Sequence, residues 1–227
     1  MGESVRLNKF LAEQLGLSRR QADDLIAARK VKVNDRVAVL GARVDDDDRV
    51  YCNGKLVDHD RDLVYVGMNK PAGYVCSRKR QGDIPTIYEL LPEKYQALKT
   101  VGRLDKDSSG LILLTNDGDF AFQMTHPKFS KTKVYEVELD HPLEPLHQQE
   151  IADFGIEIGD GVSRMGLAKM DEGRKRWFVT LREGRNRQIR RTFGALGYTV
   201  VGLHRTAFGP YQLSGLALGE YIEVKKV

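Results

Sequence analysis

Residues 101–118 read Val-Gly-Arg-Leu-Asp-Lys-Asp-Ser-Ser-Gly-Leu-Ile-Leu-Leu-Thr-Asn-Asp-Gly. Arg103, Asp105 and Asp107 fall on a loop that runs through Gly110 into an apolar strand. A carboxylate on a loop beside a core strand is well placed to work on a substrate. A turn aspartate bonded to its own backbone gives the same pattern. A second segment, Leu181-Arg-Glu-Gly-Arg-Asn-Arg-Gln-Ile-Arg-Arg191, packs five Arg into ten residues. A helix is predicted to begin near Asn186, and helix N-termini favour anions. Charges this dense repel unless something negative neutralises them.

The charge is partitioned along the chain. The 227 residues hold 36 Lys+Arg against 32 Asp+Glu, a formal net charge of +4. Residues 174–205 alone hold nine basic residues and one acidic. The first 43 residues hold nine basic and five acidic. Among these, Arg19, Arg20, Arg29, Lys30 and Lys32 cluster near a predicted helix and the turn after it. The run Asp45-Asp46-Asp47-Asp48 reads as a solvated face. Two separate basic clusters point to a polyanion partner.

Other chemistries are excluded by motif and composition. There is no Gly-x-Ser-x-Gly, Walker loop or Gly-x-Gly-x-x-Gly. His59, His126, His141, His147 and His204 form no metal-spaced pair, and His141 and His147 read as surface residues. Cys52 and Cys76 are in no Cys-x-x-Cys pair, so structural zinc and a disulfide framework are not expected. No apolar run approaches 18 residues, so no transmembrane helix is expected. The charged N-terminus does not read as a signal peptide. A reducing cytoplasm is the expected setting.

These candidates need elements to hold them. Leu7, Phe10, Leu11 and Leu15 recur at helical spacing, and Gly16 is suited to end that helix. Ser18 with Gln21 forms a capping box for a second helix whose apolar face is Ala22, Leu25 and Ile26. Valines alternate around Asn34-Asp35, which reads as a hairpin. Residues 1–60 are therefore predicted to be a small module of two helices and a hairpin. Residues 56–62 read as a linker to a larger domain, 61–227. In that domain strands are predicted at 63–68, 111–115, 133–139, 176–182, 199–204 and 220–224. Helices are predicted at 86–91, 118–124, 144–153 and 186–196. Strands and helices do not alternate regularly, so an α+β domain with a mixed, largely antiparallel sheet is expected.

Gly102-Arg-Leu-Asp-x-x-x-x-Gly-Leu111 resembles the signature loop of pseudouridine synthases. Together with Asn69-Lys-Pro-x-Gly73, Lys133-x-Tyr135 and Glu183-Gly-Arg-x-Arg-Gln-Ile-Arg-Arg191, it looks like the RsuA-type group, which modifies single uridines in ribosomal RNA. Residues 1–60 are similar to the small RNA-binding module of ribosomal protein S4. One position departs: the residue before Gln188 is often His in the wider superfamily and is Arg187 here, which alters the RNA contacts expected there.

The resemblance implies an isomerase that breaks the bond from uracil N1 to ribose C1′, turns the base and joins C1′ to C5. No redox step occurs, so no cofactor or metal is expected. It implies Asp105 as the catalytic carboxylate: nucleophile, stabiliser of positive charge on the sugar, or base at C2′. Glycosidases use carboxylates against the same oxocarbenium character. It implies Arg190 as the cation paired with Asp105 and Tyr135 as the ring that stacks on uracil and moves the C5 proton. Leu203 is expected beneath the base, and Arg103 in the space left by an extruded uridine. Arg185 and Arg187 are expected on the substrate, and Arg19, Arg20, Arg29, Lys30 and Lys32 on RNA. The expected partner is folded ribosomal RNA or a pre-ribosomal particle, with the protein monomeric and no membrane involved. The alternatives are a non-catalytic ribosome-assembly factor and a synthase acting on transfer RNA.

Overall fold

The computed structural model describes residues 4–58, 62–213 and 215–227. The chain divides into two compact units, residues 1–64 with 116–118, and residues 65–115 with 119–227. The boundary predicted from sequence followed residue 60, and residues 59–61 of the predicted linker lie outside the described residues.

The first unit holds β1 (Val5–Arg6), α1 (Leu7–Gln14), α2 (Arg19–Ala27), β2 (Val31–Val33), β3 (Arg36–Val37), β4 (Arg43–Val44), β5 (Val50–Cys52) and β6 (Lys55–Leu56). Helix α1 buries Leu7, Phe10 and Leu11. The chain turns at Gly16, whose φ of +69° suits a residue without Cβ. Leu15, expected in the core, is 41% exposed because α1 ends before it. At α2 the Ser18 hydroxyl accepts from the Gln21 amide while the Gln21 side chain accepts from the Ser18 amide. The predicted hairpin forms across Asn34 and Asp35, both at positive φ, as a tight two-residue hairpin turn requires. It is only half of the sheet. A second hairpin, β5–β6, turns at Asn53-Gly54 and completes the order β3-β2-β5-β6. Leu7, Leu11, Ala22, Ile26, Val31 and Val50 close one small core.

The second unit holds β7 (Tyr65–Lys70), β8 (Lys99–Val101), β9 (Ser109–Thr115), α3 (Gly118–Thr125), β10 (Lys133–Leu139), α4 (Pro145–Gln149), β11 (Ile156–Glu157), β12 (Val162–Ser163), β13 (Gly166–Lys169), β14 (Arg176–Leu181), α5 (Gln188–Ala195), β15 (Val200–Phe208), β16 (Tyr211–Gln212) and β17 (Tyr221–Glu223). The main sheet runs β13-β14-β10-β15-β9-β7-β17, with β8 on β9 and β16 on β15. Its one parallel contact among the described residues joins β15 to β9 over two residue pairs, His204↔Ser109 and Arg205↔Gly110. This α+β architecture is the expected one. Strand β10 matches the prediction over 133–139, and Tyr135 and Val137 point to the buried face as alternation requires. Helix 144–153 differs: α4 stops at Gln149 and widens into a π-turn over Glu150–Phe154, ended by Gly155 at φ +81°. Segment 86–91 is a 3₁₀ turn, Ile87–Leu90.

Gly110 explains how the sheet closes. Its φ is +106°, and a Cβ there would lie 2.2 Å from the carbonyl oxygen of Arg205. Only a residue without Cβ lets β15 come this close. That approach carries Leu203 and Arg205 beside the loop that bears Asp105.

Candidate active site

A cleft of about 450 Å³ opens in the second unit, large enough for a nucleotide. Asp105, Tyr135, Leu203, Arg103, Arg185 and Arg187 all line it. Arg190 is absent from that lining among the described residues.

The loop bearing Asp105 is a turn closed by its backbone, with the Ser108 amide donating to the Asp105 carbonyl at 3.1 Å. The Asp105 carboxylate is therefore not spent on closing the turn, as a purely structural turn aspartate would be. The loop is held from below by Lys70. This lysine, fully buried, donates to the carbonyls of Ser108 (2.6 Å), Pro71 (3.0 Å) and Asp105 (3.1 Å). Burial pulls the Lys70 pKa down, and the neighbouring Cys76, Asp107 and Asp105 work against that shift. The Gly73 amide also donates to Lys106 at 2.7 Å, from a backbone at φ +93°. The segment Asn69-Lys-Pro-x-Gly73 is thus a clamp on the carboxylate loop.

The opposite wall is the Arg-rich segment. Arg185, Arg187, Arg190 and Arg191 each pair with a carboxylate of the chain. Arg185 pairs with Glu183 at 2.9 Å and Asp160 at 3.2 Å, and donates to the carbonyls of Gly161 and Val162. Arg191 pairs with the same Asp160. Arg187 reaches Asp107 at 3.2 Å and Asp105 at 3.7 Å. The expected pairing of Arg190 with Asp105 is replaced. Arg190 places Nε 3.3 Å from an Asp107 carboxylate oxygen and donates to the carbonyls of Val200 (2.6 Å) and Asp107 (3.1 Å). It ties α5 to β15 and to the loop, and is only 14% exposed. The cation nearest Asp105 is Arg187, which precedes α5 in a left-handed conformation, φ 47° and ψ 32°. Outside the helix, its side chain leaves the direction of the helical Arg190 and turns to the loop.

Asp107, quoted in the motif but given no role by the sequence, is the hub of this wall. Burial opposes its charged form, and the guanidiniums of Arg187 and Arg190 overcome that, holding its pKa below the usual carboxylate range. The sequence signal was its place two residues after Asp105.

Tyr135 of β10 is 9% exposed and lies opposite Arg205 of β15. Leu203 lies opposite Val137 on the same face. Arg205 also lines the cleft. It is 2% exposed, donates from Nε to the Leu111 carbonyl at 2.7 Å and stacks over Phe208. Lys133 faces the same ring and donates to the Glu183 carbonyl at 3.0 Å. Burial lowers its pKa, the Arg205 charge lowers it further, and Glu183 opposes both. Arg103 is exposed at the mouth. In the first unit Arg19, Arg20, Arg29, Lys30 and Lys32 are all exposed. His141 and His147 both pack on Tyr198, by stacking and by a 2.8 Å hydrogen bond respectively.

A carboxylate held in a cleft between a clamped loop and a cationic wall, over an aromatic ring and a leucine, defines a site for charge-stabilised chemistry on a polyanion. Residues 64–195 match the family model of RNA pseudouridylate synthases, and residues 5–50 match that of the S4 domain. The chain belongs to the RNA pseudouridylate synthase family. It is 39% identical to ribosomal small subunit pseudouridine synthase A of Pasteurella multocida, over 96% of this chain and 94% of that protein. It is 36% identical to ribosomal large subunit pseudouridine synthase B of Bacillus subtilis, over 96% and 91%. A crystal structure of a pseudouridylate synthase superposes with a TM-score of 0.69 at 35% identity, covering 97% of this chain and 96% of that one. Among the described residues no helix is long and apolar enough to cross a membrane.

Proposed function

We propose that this chain converts a uridine of ribosomal RNA to pseudouridine, with Asp105 as the carboxylate that acts at the sugar. One observation carries the reading: Asp105 stands in a cleft with Tyr135 and Leu203, its Oδ2 3.7 Å from Arg187. The glycosidic bond from N1 to C1′ breaks, the uracil turns, and C1′ joins C5. The C5 proton leaves and a proton ends on N1, so nothing is oxidised or reduced. A carboxylate beside C1′ serves this by attack, by stabilising positive charge on the sugar, or by taking the C2′ proton. An adjacent guanidinium favours its charged form and fixes its direction.

Tyr135 stacks on the uracil and its hydroxyl moves the C5 proton. Leu203 supports the base from below. The uridine is extruded from folded RNA, which costs a few kcal/mol, and Arg103 fills the space it leaves. Arg187 faces both the carboxylate and the RNA backbone. Arg190 acts through Asp107 as a positioning residue. In the first unit the exposed Arg19, Arg20, Arg29, Lys30 and Lys32 hold RNA phosphates. The protein acts as a monomer on folded ribosomal RNA or an assembling particle, in the cytoplasm.

Relatives named for the small and for the large subunit are similarly close, so the test covers both. Pseudouridine is mapped across ribosomal and transfer RNA from cells with the protein, without it, and with Asp105→Asn in its place. Loss of one ribosomal site that Asp105→Asn does not restore is expected. Restoration by that variant would remove Asp105 from the chemistry. A lost site in transfer RNA would replace the substrate.

A further inference from the structure

Beside the cleft lies a surface the chemistry above leaves unused. Helix α3 buries Phe120 and Met124, each 3% exposed, and turns Phe122 outward at 46% exposed. The one-turn 3₁₀ segment Pro127–Phe129 follows, and its Phe129 is 37% exposed. His126 stands between them. The ring centroids lie 4.7 Å apart for Phe122–His126, 5.9 Å for Phe122–Phe129 and 6.5 Å for His126–Phe129. The Lys128 ammonium sits 4.6 Å from the Phe129 centroid and 5.2 Å from that of Phe122. The His126 ring is fixed in turn, since its Nδ1 accepts from the Lys128 amide at 3.2 Å.

Three features select a partner. The cluster is continuous with the cleft, because His126 lines it together with Met124, Thr125, Pro127 and Lys131. Residues 120–135 hold Lys128, Lys131 and Lys133 and no acidic residue. Exposed aromatic rings among cations are the arrangement by which proteins hold unpaired nucleotides: bases stack on the rings and phosphates pair with the lysines. An ordinary surface has scattered apolar side chains. Here three aromatic rings are gathered at one edge of a cleft.

We infer that Phe122, His126 and Phe129 form a stacking platform for an unpaired base of the RNA substrate that flanks the target uridine, with Lys128 and Lys131 on the adjoining phosphates. The inference rests on the RNA-modifying reading above and adds a second base-binding subsite to it. Its role is to hold the strand open next to the extruded nucleotide, offsetting part of the unstacking cost.

The test uses the full chain and a fluorescent single-stranded oligouridylate, read by anisotropy over a salt series. The exposed rings permit substitution without disturbing the core, and thermal melts check this. The double variant Phe122→Leu with Phe129→Leu keeps apolar area and loses the rings. It is expected to bind at least about fivefold more weakly. Phe122→Tyr with Phe129→Tyr should bind as the wild type does. Lys128→Gln with Lys131→Gln should flatten the slope of log affinity against log salt by roughly 0.7 per lost contact. In parallel, an oligomer of 5-iodouridine is photocrosslinked to the unaltered protein and the crosslinked peptide is sequenced. Crosslinks within 122–129 support the platform. Unchanged affinity in the double Leu variant, or crosslinks confined to other segments, would overturn it. A protein that stacks the oligomer here but leaves ribosomal RNA without pseudouridine would sink the function proposed above and leave the platform standing.

Discussion

The two walls of the cleft are built by opposite means. The loop over residues 105–108 is fixed from below by one buried ammonium, Lys70, bonded to backbone carbonyls. The Arg wall over residues 185–191 is held by side-chain ion pairs to Asp107 and Asp160, whose side chains are 47% and 46% exposed. A buried charge with complete hydrogen bonding is insensitive to salt and costly to disturb. Exposed pairs are screened and individually weak. The wall that carries Asp105, the carboxylate proposed to react, is thus rigid, while the Arg wall, proposed to meet phosphates, is free to exchange its partners. An RNA phosphate can take over a guanidinium that Asp107 or Asp160 holds in the free protein.

The largest expected effect comes from breaking the rigid wall. Lys70→Met takes the ammonium donor from the Ser108 and Pro71 carbonyls, at about 1–3 kcal/mol for each unsatisfied group, and leaves the Asp105 carbonyl with its backbone donor alone. A loss of at least about 3 kcal/mol in denaturant unfolding is expected, with catalysis falling further than the folded fraction. A Lys70→Met protein of wild-type stability and rate would remove the clamp from the account. Gly110→Ala comes next. Its Cβ would collide with the β15 backbone at a positive φ, at a cost of about 2 kcal/mol or more. An unchanged melting temperature would contradict the close approach.

Smaller effects are expected on the exchangeable wall. Arg190→Ala should lower the rate by about tenfold or more by freeing Asp107 and α5, and Arg190→Lys should restore only part, because Lys lacks the planar fork. Arg187→Ala should weaken RNA binding and lower the rate, with both effects shrinking as salt rises. Equal salt dependence for Arg187→Ala and Lys70→Met would erase the contrast between the walls. The smallest effect concerns pH. The folded-state pKa of Asp107 is depressed, so its contribution to stability is present above the unfolded pKa of about 3.9 and is lost as pH falls through the folded value. The stability gap between the wild type and Asp107→Asn should be constant near neutral pH and close below about pH 4. A gap that persists in acid would mean that Asp107 acts through shape alone.

Much of this was legible from residues. Alternation over 133–139 set β10 and the inward side of Tyr135, and Ser18 with Gln21 marked the start of α2. The motif loop put Asp105 in the cleft. Other features escaped for definite reasons. Strands of two or three residues such as β11 and β12 are too short to show a period. The β5–β6 hairpin carried its own sign, Asn53-Gly54, inside a stretch that looked like the end of a module. Strand β15 was predicted to end at residue 204 and runs on to Phe208, with Arg205 buried against Phe208. The resemblance pointed to Arg190 as the partner of Asp105, and in the free protein Arg190 lies against Asp107 while Arg187 reaches Asp105. The two lie three residues apart, and only the left-handed turn at Arg187 sends one of them to Asp105.

The central claim is that the Asp105 carboxylate performs the chemistry and is not needed to build the site. Asp105→Asn keeps the side chain's size and removes its charge. Single-turnover pseudouridine formation is measured at saturating RNA, with RNA affinity measured alongside. The account predicts affinity within about threefold of the wild type and no detectable product, since losing an essential group costs orders of magnitude in rate. A variant that retains more than about a tenth of the wild-type rate would contradict it.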